Sequence, residues 1–188
     1  MASRKVIRRN HIHILRQLEK ATYGSHYIVV YPDLVTLREI YSAYAKAHIV
    51  ENNDEIVLIL PYYETTDTVR RVLSENSARI DVRKYEKENS LVIIDSFKAY
   101  FRSAVNIMTF FKSLVERAHQ LGKNGVGVFG DIGSIAHLIN YERSLPPKFD
   151  IKSKGFCCYN ESDYNRLTEK QKQKLLDQHS KELMVTND

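Results

Sequence analysis

Three acids in this chain stand just past apolar runs: Glu64 after residues 56–61, Asp95 after Leu-Val-Ile-Ile at 91–94, and Asp131 after Gly-Val-Gly-Val-Phe-Gly at 125–130. A continuous apolar run that ends in an acid is the pattern of a fully buried parallel strand surfacing at its carboxyl end. A carboxylate there reaches a metal, a water or a ligand over the sheet rim. Glu64, Asp95 with its neighbour Ser96, and Asp131 would then share one rim, and a polar pocket over that rim is the default ligand site. The same side chains have a plainer use, because Asp95, Ser96 and Asp131 also read as caps of the helices that follow.

Tyrosine adds to this pattern. Of twelve tyrosines, Tyr31, Tyr62, Tyr63 and Tyr159 fall at or just past expected strand ends. Aromatic walls with polar tips suit a small planar ligand, and they equally suit rings packed with their hydroxyls exposed. With Asp33 just past the first apolar strand, the candidate ligand-binding residues are Tyr31, Asp33, Glu64, Asp95, Ser96 and Asp131. No residue is assigned a catalytic role, and no metal or cofactor is expected.

Two better-known chemistries do not fit. The chain contains no glycine-rich run ending in Gly-Lys-Ser/Thr, the loop that wraps phosphates with backbone N–H groups. Gly125-x-Gly127-x-x-Gly130 formally matches a dinucleotide fingerprint, but Val126, Val128 and Phe129 place its glycines inside a strand instead of in the turn after one. Crowding by a neighbouring backbone is the expected reason for them. The two cysteines, Cys157 and Cys158, are adjacent, so on a strand they point to opposite faces and form no disulfide with each other. There is no Cys-x-x-Cys pair, the seven histidines are scattered, and His11-x-His13 reads as a surface feature.

The elements that must position these residues follow from periodicity. A short helix is expected over residues 12–21, a strand over 26–31 broken by Pro32, and a helix capped by Asp33 that carries Leu34, Leu37, Ile40, Tyr41, Tyr44 and His48. A second strand at 55–60, a helix through about residue 75, an outer strand at 80–85 and a buried central strand at 91–94 come next. A short helical turn at 97–102, a long helix over 104–121, a strand at 125–130, a helix from Ser134 and a final strand at 154–159 follow. Thr168 and Gln171 form a capping-box pattern for a last helix reaching about residue 183. The expected fold class is α/β, with three layers and a mostly parallel central sheet covered by helices on both faces.

Composition agrees with one soluble α/β domain. The 188 residues are 43% hydrophobic and 27% charged, enough to bury a core without disulfides. Residues 1–10 are expected to be a basic arm, carrying Arg4, Lys5, Arg8 and Arg9 out of a net charge of +5, and residues 11–188 a single domain. The opening stretch has no apolar core of a secretion signal and no run is long enough for a membrane span, so a cytoplasmic location without membrane attachment is expected.

In order and spacing, these segments resemble the MEDS domain (methanogen/methylotroph, DcmR sensory domain), a degenerate relative of the KaiC/RecA ATPases. Residues 27–33 followed by a helix stand where a KaiC-like protein has its strand and phosphate loop, 55–60 is the strand after that helix, and 91–96 stands in place of the acid-bearing strand. Residues 125–133, Tyr141-Glu142 before Leu145-Pro146, and 155–159 leading to a tail with His179 complete the match. The resemblance implies a RecA/KaiC-like fold without a phosphate loop and a non-catalytic sensory or regulatory role in archaeal or bacterial signal transduction. It implies output through a separate partner, a kinase or transcription regulator, or through a homo-oligomer. The alternatives are an atypical nucleotide-binding ATPase with Asp95 on Mg²⁺, and a nucleic-acid-binding regulator using the basic arm, which the lack of any recognisable reader motif disfavours.

Overall fold

The structure, a computed structural model, describes residues 7–102, 106–133 and 145–186. Its first half runs β1 (Ile7–Asn10), α1 (His11–Glu19), β2 (His26–Tyr31), α2 (Leu34–Ala45), β3 (Glu55–Leu60), α3 (Thr66–Glu75), α4 (Val82–Lys87) and β4 (Leu91–Ile93). The second half is α5 (Ile107–Gln120), β5 (Gly125–Asp131), β6 (Ser153–Asn160), α6 (Glu161–Asn165), α7 (Glu169–Asp177) and β7 (Lys181–Thr186). Short π-helical turns at Lys46–Glu51 and Lys98–Arg102 follow α2 and β4.

All seven strands are parallel, in the order β1-β7-β2-β6-β5-β3-β4. Alternation explains the two apolar faces. Val29, Tyr31, Val57, Ile59, Phe129, Phe156 and Cys158 face the layer of α1 to α4. Ile56, Leu58, Val126 and Val128 face α5, while Ile28, Val30, Cys157 and Tyr159 face Tyr164 of α6 and Leu175 of α7. The result is a three-layer α/β fold, and the adjacent cysteines, both free, do point to opposite faces. No helix among the described residues is long and apolar enough to cross a membrane.

Several elements differ from the sequence reading. Residues 7–10, expected in a solvated arm, form β1 against β7, and Asn10 then caps α1 by accepting the His13 N–H. Residues 82–87 are helical instead of an outer strand, because Asp81 caps them through the Lys84 N–H and the buried Val82 has Tyr85 three residues on, also packed on the core. The strand of residues 91–93 is the sheet's edge, paired only with β3, and not a central strand. The capping box of Thr168 and Gln171 is present, but its helix ends at Asp177. Residues 181–186 are β7, whose Leu183 and Val185 alternate into the core between β1 and β2. The helix expected from Ser134 lies outside the described residues, as do residues 104–105 of the expected long helix.

Beneath the first helical layer, at the amino ends of the strands, Glu55 and Lys154 form a buried ion pair at 2.7 Å. The Glu55 carboxylate also accepts hydrogen bonds from Tyr44 at 2.6 Å and Tyr23 at 2.9 Å. This pair accounts for Gly127: a Cβ there would lie 2.7 Å from the Tyr44 ring and 2.9 Å from Glu55 Oε2. At Gly127 the crowding thus comes from side chains, whereas at Gly125 it comes first from the expected neighbouring backbone, the Lys152 carbonyl.

Candidate functional site

β5 delivers Asp131 to the carboxyl rim, and β2, one strand beyond β6, delivers Tyr31. The Tyr31 hydroxyl donates to Asp131 Oδ1 at 2.7 Å. From the other side, Pro61 ends β3 and turns the chain so that the N–H groups of Tyr62 and Tyr63 donate to Asp131 Oδ2 at 3.2 and 3.1 Å. Burial pushes the Asp131 pKa up to about 6, even though these three hydrogen bonds favour the carboxylate, and the nearby Glu64 adds to the rise. Burial and the same carboxylate raise the Tyr31 hydroxyl well above its usual value.

Glu64 sits beside this group and is tied to α2. Its Oε2 receives Arg38 Nη2 at 2.6 Å and Nε at 2.7 Å, with the Tyr41 hydroxyl 3.5 Å from Oε1. Leu37, Tyr41, Phe129, Cys158, Glu64 and Asp131 line a void of about 10 Å³, room for about one water. Outside it, over the ends of β3 and β4, Tyr62, Tyr63, Thr65, Thr66, Asp95 and Lys98 line an open cleft of about 590 Å³. Tyr62 stacks edge-on against Tyr63 with centroids 5.0 Å apart. The Tyr63 hydroxyl contacts the carboxylate of Asp163 on α6.

Of the six residues chosen from sequence, the fold brings Tyr31, Glu64 and Asp131 together and keeps the others apart. Asp95 reaches only the outer cleft, where its carboxylate accepts the Lys98 N–H at 2.9 Å; just past the edge strand β4, it is separated from β2 by three intervening strands. The acid that shares a site with the end of β2 is therefore Asp131, not Asp95. Ser96 is buried, its N–H donating to the Pro61 carbonyl at 3.0 Å. Asp33 accepts the Thr36 N–H at 2.8 Å as the cap of α2.

Tyr159 does not line the rim: it is buried on the opposite face, 5.8 Å from Tyr164. Arg38, Tyr41 and Asp163 escaped the sequence reading. The first two were hidden in an amphipathic helix, and Asp163 lies just past β6 on the short helix α6, which the sequence pattern did not announce. Nor are all the histidines apart, since His26 and His179 meet Cys157 on the α6–α7 face. No protein-family model and no curated protein matches the chain.

Proposed function

We propose that this domain is a non-catalytic sensory or regulatory module that takes a small polar ligand with a planar part in the cleft walled by Tyr62 and Tyr63. The observation that carries the reading is the joint between β2 and α2. A helix N-terminus after a buried strand is where nucleotide hydrolases seat phosphate, using backbone N–H groups and the helix dipole. Here the joint is Pro32-Asp33: proline offers no N–H, and the Asp33 carboxylate already takes the Thr36 N–H. A carboxylate at that place occupies a helix N–H that a phosphate would need.

The floor of the cleft is the Tyr62–Tyr63 main chain, held by Asp131, and Tyr63 also reaches Asp163 on the far helical layer. A ligand that moves Tyr63 therefore alters a contact between layers, which is a route to altered association with a protein partner, such as a kinase or transcription regulator, or with a second copy. The resemblance to MEDS domains points the same way.

Isothermal titration of the full chain against Mg-ATP and a panel of nucleosides, amino acids and aromatic acids tests this. Saturable binding of a panel compound, weakened about tenfold or more in Tyr62→Ala, with none for Mg-ATP, is the expected result. Micromolar Mg-ATP binding abolished by Asp95→Ala would replace the proposal with the ATPase reading.

A further inference from the structure

We propose that His26, Cys157 and His179 form a binding site for a zinc-class divalent ion. The three come from distant parts of the chain: the first residue of β2, the middle of β6 and the turn between α7 and β7. All three are buried, and one donor atom of each lies within 4.8 Å of the other two. Among the described residues no fourth histidine, cysteine or carboxylate joins them.

Hydrogen bonding prepares both imidazoles as ligands. His26 Nδ1 lies 3.0 Å from the Pro146 carbonyl and His179 Nδ1 lies 2.6 Å from the Leu175 carbonyl. A carbonyl only accepts, so each Nδ1 carries the proton and each Nε2 carries the lone pair. Histidines that bind metals are held this way, with the second nitrogen donating to a carbonyl or carboxylate that fixes the ring and raises its basicity. His26 Nε2 is 3.2 Å from Cys157 Sγ, and the two imidazole rings lie 4.0 Å apart. Around a tetrahedral zinc, nitrogen and sulfur ligands stand roughly 3.3–3.6 Å from one another, so the widest gap closes with a movement of about 1 Å.

One thiolate and two imidazoles favour zinc and its borderline neighbours over magnesium or calcium, which want oxygen. On binding, the Cys157 thiol gives its proton to solvent and the sulfur takes the ion. Cys158, one residue on but on the opposite face, plays no part.

The test uses chelator-treated full chain titrated with Co²⁺ and followed by absorption, then challenged with Zn²⁺. One Co²⁺ per chain is expected, with a thiolate-to-cobalt charge-transfer band that Zn²⁺ abolishes. The band should disappear in Cys157→Ser and persist in Cys158→Ser, and His179→Gln should weaken affinity about 10- to 100-fold. Failure to take up one ion per chain at micromolar concentration, or a band that survives Cys157→Ser, overturns the proposal. X-ray absorption on the zinc-loaded wild type decides the matter even if Cys157→Ser does not fold. One sulfur with two nitrogens in the coordination shell supports the site, and a shell without sulfur refutes it.

Discussion

Burial of Asp131 at the end of β5 moves its pKa from 3.8 to about 6 against three opposing hydrogen bonds, which makes desolvation the stronger influence on this carboxylate. The folded chain thus keeps a proton that the unfolded chain has already lost between those values. The stability this contributes is fully present below about pH 4 and is lost as pH rises through about 6, a change on the order of 3 kcal/mol. Asparagine accepts from both tyrosine N–H groups and donates to the Tyr31 oxygen, so Asp131→Asn should fold and lack this loss. Urea unfolding of both proteins at several pH values checks it: the stability difference should shift by about 3 kcal/mol between pH 4 and pH 7, and a constant difference would falsify the assignment.

The Glu55–Lys154 pair makes a second prediction at the same scale. Glu55→Gln keeps the shape but leaves the buried ammonium without its counter-charge, at a cost of about 3 kcal/mol or more, and adding Lys154→Met should restore part of it. Denaturant midpoints for the single and double variants measure both effects. Tyr31 and Asp131 were legible in the sequence because each ends an apolar run. Arg38 and Asp163 were not, because only the strand order and the layers bring them to the rim.

Among the elements, β1 and β7 depart furthest from a local reading. Residues 169–183 are rich in Glu, Lys, Gln and Leu, all good helix formers, and the capping box starts a helix that nothing in the local pattern stops at Asp177. Tertiary pairing decides the rest: Leu183 and Val185 fill the core only when every second residue faces it. Asn10, likewise, is both the last residue of β1 and the cap of α1. Deleting residues 1–10 should therefore do more than remove the charges of Arg4, Lys5, Arg8 and Arg9. It strips the α1 cap, worth about 0.5–2 kcal/mol, and bares one side of β7 as an unpaired edge. A lower melting temperature and concentration-dependent association, seen by calorimetry and light scattering, are the expected outcomes. A truncated chain that stays monomeric and melts as the wild type does would show that β1 carries none of this.

For the whole molecule, the class of fold was legible because strands covered on both faces must be apolar at nearly every position, as β3 is. The order of the strands was not, because continuous apolar runs carry no sign of which neighbour each will choose. The metal-ligand group was invisible for the same reason, His26 and Cys157 standing 131 residues apart and joined through parallel pairing of β2 with β6, and His179 being brought in by the pairing of β7 with β2. The seat of β7 between β1 and β2 also sets a timetable. On the ribosome, the opening strand has nothing to pair with, and one flank of β2 stays bare, until residues 181–186 emerge from the exit tunnel. A nascent chain thus carries an adhesive border until β7 is made and slots between β1 and β2.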